Sequence, residues 1–278
     1  MAHLRRRLLR ACGVVTAGGA LLLAGCSGGA GGGGTDGKSG GKGGASPSAS
    51  APSTTKPSPS ASPTDIDFTP DPKRAPKTAA DARRLALAVV AGPDAWGPDY
   101  VKRTPYLSDP AFWPVLNERC EWEGGELPRS VLASVTAYSE IPATGGKGPL
   151  RVASVVTVHR TANDADWEMA ETLEEALRCP DQTLRDGERV TGLASLGMPY
   201  GTGGNAHATD SLSEHGSYLN DAFKGPQQYS WYESRIGQVT VATVVKGAPG
   251  YTSDVTSVQT QAQVTMEARL KAQTGAAS

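Results

Sequence analysis

The polar residues His207, Asp210, His215 and Ser217 lie close together, and their types suit either a hydrolase triad or a metal site. One large class of hydrolases places its nucleophile in the motif G-x-S-x-G after a strand. Ser195 comes nearest to that motif, but its distance from the preceding glycine is one residue too long. Zinc sites use tight pairs such as H-E-x-x-H, whereas these two histidines are eight positions apart. The spacing favours polar loop residues, and we predict no catalytic residue and no metal site.

Glutamates near tryptophans form a second candidate group, since glycoside hydrolysis uses two carboxyl groups and aromatic rings stack on sugars. The residues are Glu118, Glu121, Glu123 and Glu126, with Trp113 and Trp122. The chemistry requires two opposed carboxyl groups at a fixed separation, which spacing along a chain does not establish. A solvated acidic turn beside a core tryptophan is the simpler interpretation.

The residues Gly32 to Ser39 match the nucleotide-binding motif G-x-x-x-x-G-K-[ST] letter for letter. A working P-loop needs a buried strand before the glycine turn and a helix N-terminus after it. Glycine-rich sequence lies on both sides here. We therefore expect no nucleotide and no other cofactor at this motif.

A cysteine closes a short apolar stretch near the N-terminus. Arginines 5, 6, 7 and 10 precede apolar residues 11–25, and Leu23-Ala24-Gly25-Cys26 ends the stretch. This pattern resembles the bacterial lipoprotein signal, which implies cleavage before Cys26 and attachment of fatty acyl chains such as palmitate. A transmembrane anchor is the alternative, but fifteen residues span about 22 Å, less than the roughly 30 Å hydrocarbon core. The arginine run also resembles a twin-arginine signal, so the export route stays open.

Charge and composition divide the remaining chain. Residues 1–25 form the predicted signal peptide, residues 26–64 a Gly/Ser/Pro-rich tether expected to be disordered, and residues 65–278 one domain. From position 65 onward, 20 basic residues face 27 acidic ones, a net charge near -7. Such a domain repels nucleic acid, so we expect no nucleic-acid partner. The lipid anchor predicts a place on the outer face of the cell membrane.

Two of the four cysteines remain after Cys12 leaves with the signal peptide and Cys26 takes lipid. In an oxidising compartment, Cys120 and Cys179 are expected to form a disulfide. Closing a loop of that size would remove about 4 kcal/mol of unfolded-state entropy. Two buried free thiols are the alternative.

The periodicity of the domain indicates an α+β fold. We predict an antiparallel sheet of two hairpins plus a short strand near Val190, with about three packed helices. The first hairpin joins residues 131–138 to 152–158, and the second joins 228–235 to 238–246. Residues 93–128 are expected to be irregular, and residues 197–216 form a glycine-rich stretch.

Three helices complete this prediction. One begins at Thr78, one at Thr161, and the last at Ser253. In the second, the apolar residues predicted to face the sheet are Trp167, Ala170, Leu173 and Leu177. The acidic residues predicted to face solvent are Glu168, Glu171, Glu174 and Glu175.

The order of these elements carries a family resemblance. The elements follow one another in this order: a Leu/Ala helix, a cysteine before a strand pair, a helix ending in a cysteine, Val190-Thr191-Gly192-Leu193 and a late valine-rich hairpin. Over residues 77–272, this order resembles the extracellular sensor domain of PknH-like membrane kinases of actinobacteria. The resemblance implies an antiparallel sheet with flanking helices, a cleft and a ligand-sensing role. It transfers no catalytic or binding residue.

We therefore expect a membrane-anchored extracytoplasmic lipoprotein whose domain is not an enzyme and binds or senses a ligand. The predicted ligand-binding residues are Tyr200, His207, Tyr218 and Trp231, which supply mixed polar and aromatic surface. The ligand is a small molecule or an envelope protein. The alternatives are a protein-interaction module for an envelope enzyme or kinase, and a cell-wall hydrolase.

Overall fold

The structure is a computed structural model that describes residues 67–251 and 255–275. The predicted signal peptide, Cys26, the predicted tether and Ser253 lie outside these residues. Within the described ranges, no helix has both the length and the apolar character needed to cross a bilayer.

The described residues form an α+β fold built on a large antiparallel sheet, which confirms the predicted class. The helices are α1 (Ala79–Val89), α2 (Pro93–Trp96), α3 (Ala162–Arg178) and α4 (Val255–Thr274). The strands are β1 (Val101–Leu107), β2 (Trp113–Leu116), β3 (Trp122–Gly125), β4 (Val131–Ile141), β5 (Leu150–His159), β6 (Gln182–Arg185), β7 (Glu188–Pro199), β8 (Asp210–Asn220), β9 (Gln227–Ile236) and β10 (Val239–Lys246).

Eight strands form one sheet in the order β1-β4-β5-β10-β9-β8-β7-β6, and β2 pairs with β3 in a separate hairpin. Both predicted hairpins are present, as β4–β5 and β9–β10. The sheet is larger than predicted, because β1, β6 and β8 join it, and the glycine-rich stretch contains the start of β8; residues 93–128, predicted to be irregular, contain α2 and three strands. Pairing with distant strands stabilises these segments, and local periodicity does not reveal such pairing.

Alternating residues give the sheet two different faces. The core face presents valines such as Val135, Val156 and Val241, all buried against α1 and α4. Helix α1 begins at Thr78, whose hydroxyl accepts a hydrogen bond from the Asp81 amide at 3.1 Å. This face holds the main hydrophobic core, and the opposite face, here called the cavity face, looks toward α3.

The sheet is strongly curled. Strands β5 and β7 are four neighbours apart, so in a flat sheet they would be separated by about 19 Å. Instead, Arg151 in β5 donates a hydrogen bond from Nη1 to Glu188 Oε1 in β7 at 3.2 Å. The two halves of the sheet therefore face each other across the cavity face.

Helix α3 crosses the open side of this curl, and the face that it buries differs in part from the predicted one. A capping box holds its first turn: the Thr161 hydroxyl accepts a hydrogen bond from the Asp164 amide, and the Asp164 carboxylate accepts one from the Thr161 amide. Trp167 is 63% exposed and Leu177 83% exposed, whereas Ala165, Met169 and Ala176 are buried. Glu168 and Glu175, predicted to face solvent, line the cavity face. Glu171 and Glu174 are exposed as predicted, so the prediction is wrong for Glu168 and Glu175, which turn toward a space that contains polar groups.

The hairpin β2–β3 closes another side, and the predicted disulfide holds it there. Cys120 precedes β3, and Cys179 caps the C-terminus of α3. Their Cα atoms are 5.5 Å apart, and the two residues are bonded. Trp122 in β3 donates from Nε1 to Gln182 Oε1 at 2.8 Å. The hairpin is thus fastened to both α3 and β6.

Candidate ligand-binding site

A cavity of about 550 Å³ lies on the cavity face of the sheet. Strands β4, β5, β10, β9 and β8 form its floor, and α3, β6 and the hairpin β2–β3 form its walls. The floor residues alternate with the valines of the core face, because successive side chains of a strand point to opposite faces. The volume is within the range of small-molecule sites.

Aromatic rings line the middle of the cavity. The hairpin contributes Phe112, Trp113 and Trp122, and β9 contributes Tyr229 and Trp231. Val244 in β10 lies next to Trp231 in register and adds an apolar floor. These groups can pack against the apolar body or a sugar ring of a ligand.

Four cations gather at one end, here called the basic end. They are Arg103 in β1, Arg151 in β5, Arg185 in β6 and Lys246 in β10. Glu188 is the carboxylate among them: Arg151 Nη1 is 3.2 Å from its Oε1, Lys246 Nζ is 3.1 Å from its Oε2, and Arg185 also pairs with Oε1. The curl of the sheet brings these residues together.

The basic end sets the pKa values of its own groups. Burial alone would raise the pKa of Glu188, but the hydrogen bonds and charges of Arg185 and Lys246 lower it to about 2. Burial lowers the pKa of Lys246, and the neighbouring cations Arg185 and Arg103 lower it further, although Glu188 acts against both effects. Three of the four cations thus share the single carboxylate of Glu188.

Carboxyl groups line the rest of the cavity, from its aromatic middle to the end farthest from the basic end, and this region is here called the acidic end. The residues are Glu168, Glu171, Glu175, Glu214 and Glu233. The Thr240 hydroxyl donates to Glu168 Oε2 at 2.6 Å, and His159 Nε2 is 2.7 Å from the same oxygen. Trp231 Nε1 donates to Glu233 Oε2 at 3.1 Å.

The pKa values of several of these carboxyl groups are raised. Burial, with a smaller contribution from the charge of Glu175, raises the pKa of Glu214 to about 7. Burial also raises the pKa of Glu175 to about 7, with a contribution from Glu171. For Glu233, only 2% exposed, burial raises the pKa well above its ordinary value, and the nearby Glu168 adds to the effect. The acidic end thus offers hydrogen-bond donors as well as acceptors.

The two ends are separated along the strands. Thr240 lies beside Glu168, and Lys246 lies six residues further along the same strand. At about 3.4 Å per residue, the two positions are about 20 Å apart. Glu168 therefore lies far from the cations, whereas Glu214 lies between the two positions, in register with Trp231 and Val244.

The predicted ligand-binding residues have different places in this structure. Trp231 lines the cavity. Tyr218 is buried behind the basic end, where its hydroxyl accepts a hydrogen bond from Asn220 Nδ2 at 2.8 Å and Lys246 Nζ is 5.6 Å from its ring centre. Tyr200 and His207 belong to the turn between β7 and β8 and are not among the lining residues. The structure therefore does not bring these four residues together in one site.

The other candidate groups also separate. His207 precedes β8, while His215 in β8 is exposed. Glu121 forms an exposed ion pair with Arg119 at 2.9 Å. In the described part of the chain, no three His, Cys, Asp or Glu side chains are arranged to hold a metal ion.

The sequence analysis missed most of the residues that line the cavity. Polar residues in phase on β5 and β10, such as Arg151 and Thr157 or Thr240 and Lys246, give a local signal of a polar sheet face. Arg103 and Arg185 carry no such signal, because they reach the site from the first and last strands of the curled sheet.

Comparison with known proteins adds no identification to this site. No protein-family model matches the chain, and no curated protein matches its sequence. The resemblance to the sensor domains of PknH-like kinases therefore stays a prediction.

Proposed function

We propose that this domain binds a small ligand in the cavity without transforming it, and that Cys26 anchors the protein to the outer face of the membrane. The observation that carries the proposal is the cavity itself. It is bounded by a curled sheet, a helix and a disulfide-held hairpin, and it combines an aromatic middle with convergent polar groups at both ends. This combination is typical of ligand sites.

The anchor and the cavity together support a sensing role. The acyl chains at Cys26 would hold the domain near the membrane, while the predicted tether of residues 26–64 would let it reach outward by roughly 35 Å. Ligand binding would stabilise the walls around the cavity, especially the hairpin β2–β3, whose Phe112 and Trp113 line it. The hairpin would then present a different surface in the bound and free states.

Thermal unfolding in the presence of candidate ligands tests the binding proposal. The protein is the full chain with Cys26→Ser, and the compounds are carbohydrates, peptides, nucleotides, lipids and organic acids. A ligand present at 100 times its Kd should stabilise the fold by about 2.7 kcal/mol.

Two matched variants show whether such stabilisation depends on the cavity. Ala242→Trp places a large side chain on the cavity floor, and Ala170→Trp places one on the exposed side of α3. We expect the first variant to lose the stabilisation and the second to keep it. Equal stabilisation of both variants, or no stabilisation by any of these compound classes, would contradict the proposal.

A second candidate function is glycoside hydrolysis, which the raised pKa values at the acidic end favour. Glu175 and Glu214, each with a pKa of about 7, can hold a proton for a leaving group at neutral pH. Trp113 and Trp122 line the same cavity and can stack on a sugar. Fluorogenic glycosides and purified cell-wall glycan test this candidate: hydrolysis that Glu214→Gln abolishes supports it, and no turnover by the wild type removes it.

A further inference from the structure

The crowding of cations at the basic end indicates the chemistry of the ligand. We propose that Arg103, Arg151, Arg185 and Lys246 form a subsite for an anionic group of the ligand, a carboxylate or a phosphate. This inference rests on the proposed function and adds the class of ligand to it.

The first argument is charge. Three of the cations pair with Glu188, and the fourth, Arg103, lies near Arg151 and Arg185; even with Glu140, whose charge reaches Arg103, cations outnumber carboxylates by four to two. Arg103 is repelled by both Arg151 and Arg185. Like charges held together in a partly enclosed space are unfavourable unless an anion joins them. An anionic group placed among them would relieve this repulsion.

The second argument is unused hydrogen-bonding capacity. Within the described residues, the side chain of Arg103 makes no hydrogen bond, and its guanidinium lies over the Tyr138 ring at 4.7 Å. The Nε atom of Arg151 is buried and has no partner. Arginine presents several N–H donors in a planar fork that matches the oxygens of carboxylate and phosphate. The basic end therefore has donors of the right type for such an anion.

The third argument is position. Lys246 is the register partner of Tyr229, and the aromatic middle of the cavity begins there. An anion bound at the basic end can therefore be part of a larger molecule whose body packs on Tyr229 and Trp231. Its far end would meet the carboxyl groups of the acidic end, which suit hydroxyl or amine groups. The inferred ligand is an anionic molecule with hydrogen-bond donors at its opposite end.

Calorimetric titration tests the subsite with simple probes. Inorganic phosphate and citrate represent the two anion types, and both are titrated into the Cys26→Ser chain at pH 7.5 and constant ionic strength. Loss of one charge-assisted hydrogen bond should weaken binding about tenfold or more, so we expect this result for Arg151→Gln. The matched control is Arg84→Gln on α1, an exposed arginine paired with Asp81, and it should bind like the wild type.

A second variant gives a gain that misfolding cannot imitate. Glu188→Gln removes the carboxylate that competes for three of the cations, so phosphate or citrate should bind several-fold more tightly. The preferred probe, phosphate or citrate, shows which anion the ligand carries. Absence of binding by both probes would overturn the subsite, as would unchanged affinity in both Arg151→Gln and Glu188→Gln.

The subsite and the proposed function can fail separately. If compounds from the thermal screen bind the cavity but Arg151→Gln does not weaken them, the anion subsite is wrong and the binding function stands. If phosphate binds as expected but no larger compound is blocked by Ala242→Trp, the binding function is wrong and the anion subsite stands.

Discussion

The two faces of the same eight-stranded sheet differ in the kind of contacts that they make. On the core face, valines pack against α1 and α4, and polar side chains of α4 are joined to the strands: Gln263 Nε2 donates to Val241 O at 3.0 Å, and Gln259 Nε2 donates to Thr243 O at 3.0 Å. On the cavity face, cations crowd at one end, and carboxyl groups with raised pKa values lie elsewhere in the cavity.

This difference shows which face stabilises the fold and which face is available for function. The core face gains free energy from apolar burial and from completed hydrogen bonds. On the cavity face, the surroundings shift the pKa values of several groups away from their ordinary values, and such groups are typical of binding and catalytic sites. Three predictions test this contrast, from the largest expected effect to the smallest.

The first prediction concerns the disulfide that holds the hairpin β2–β3 at the cavity face. Replacing both Cys120 and Cys179 by Ser should lower the free energy of unfolding by up to about 4 kcal/mol, because the loop of 59 residues is no longer closed in the unfolded chain. Urea denaturation measures the loss.

Hydrogen exchange shows where that loss is located. Amides of β2–β3 should lose protection first in the double variant, since the hairpin is held to α3 through this bond, while amides of β5 and β10 should stay protected. A uniform loss of protection across both faces would contradict the contrast.

The second prediction concerns the dependence of stability on pH. The pKa of Glu214 is raised by burial from 4.5 to about 7, so the folded state binds its proton more tightly than the unfolded state does. Its favourable contribution is complete below pH 4.5 and is lost as the pH rises through 7. The free energy of unfolding of the wild type should fall by about 3 kcal/mol for this reason as the pH rises to 8. Glu214→Gln has no proton to lose, so the variant should be more stable than the wild type at pH 8.

Glu188 should behave in the opposite way. Although burial opposes the effect, Arg185 and Lys246 lower its pKa to about 2, so its contribution is present above pH 4.5 and is lost as the pH falls toward 2. Glu188→Gln should therefore destabilise the protein at pH 7 and match the wild type at pH 2. Unfolding curves at several pH values give the free energy of unfolding of both variants. If the two variants differ from the wild type in the same way at every pH, the opposite pKa shifts of Glu214 and Glu188 are refuted.

The third prediction uses neighbouring residues on β5. Val156 is fully buried on the core face, and Val155 lines the cavity. Val156→Ala should cost about 2 kcal/mol, because it removes buried methyl groups and leaves a void, whereas Val155→Ala enlarges an existing space and should cost about 0.5 kcal/mol. Urea denaturation of the two variants makes the comparison, and equal losses would show that the cavity face packs like a core.

Helix α3 was predicted at the correct place in the chain, but its buried face was in part predicted incorrectly. Its start at Thr161 and its end before Pro180 follow from local rules, and both are confirmed. Its apolar residues were expected inside, but Trp167 and Leu177 are exposed while Glu168 and Glu175 line the cavity. The rule assumes that a helix packs on a wholly apolar surface, whereas the surface beneath α3 is partly apolar and partly polar.

The sequence by itself determined the features whose energy is local or covalent: the capped starts of α1 and α3, the alternating strands of the two hairpins, and the pairing of Cys120 with Cys179. Only the tertiary structure decided the cavity. Arg103, Arg151, Arg185 and Lys246 come from four strands and meet because the sheet curls, and that curl depends on the twist and pairing of all eight strands together. No short stretch of sequence encodes it, since each strand contributes only part of the bend.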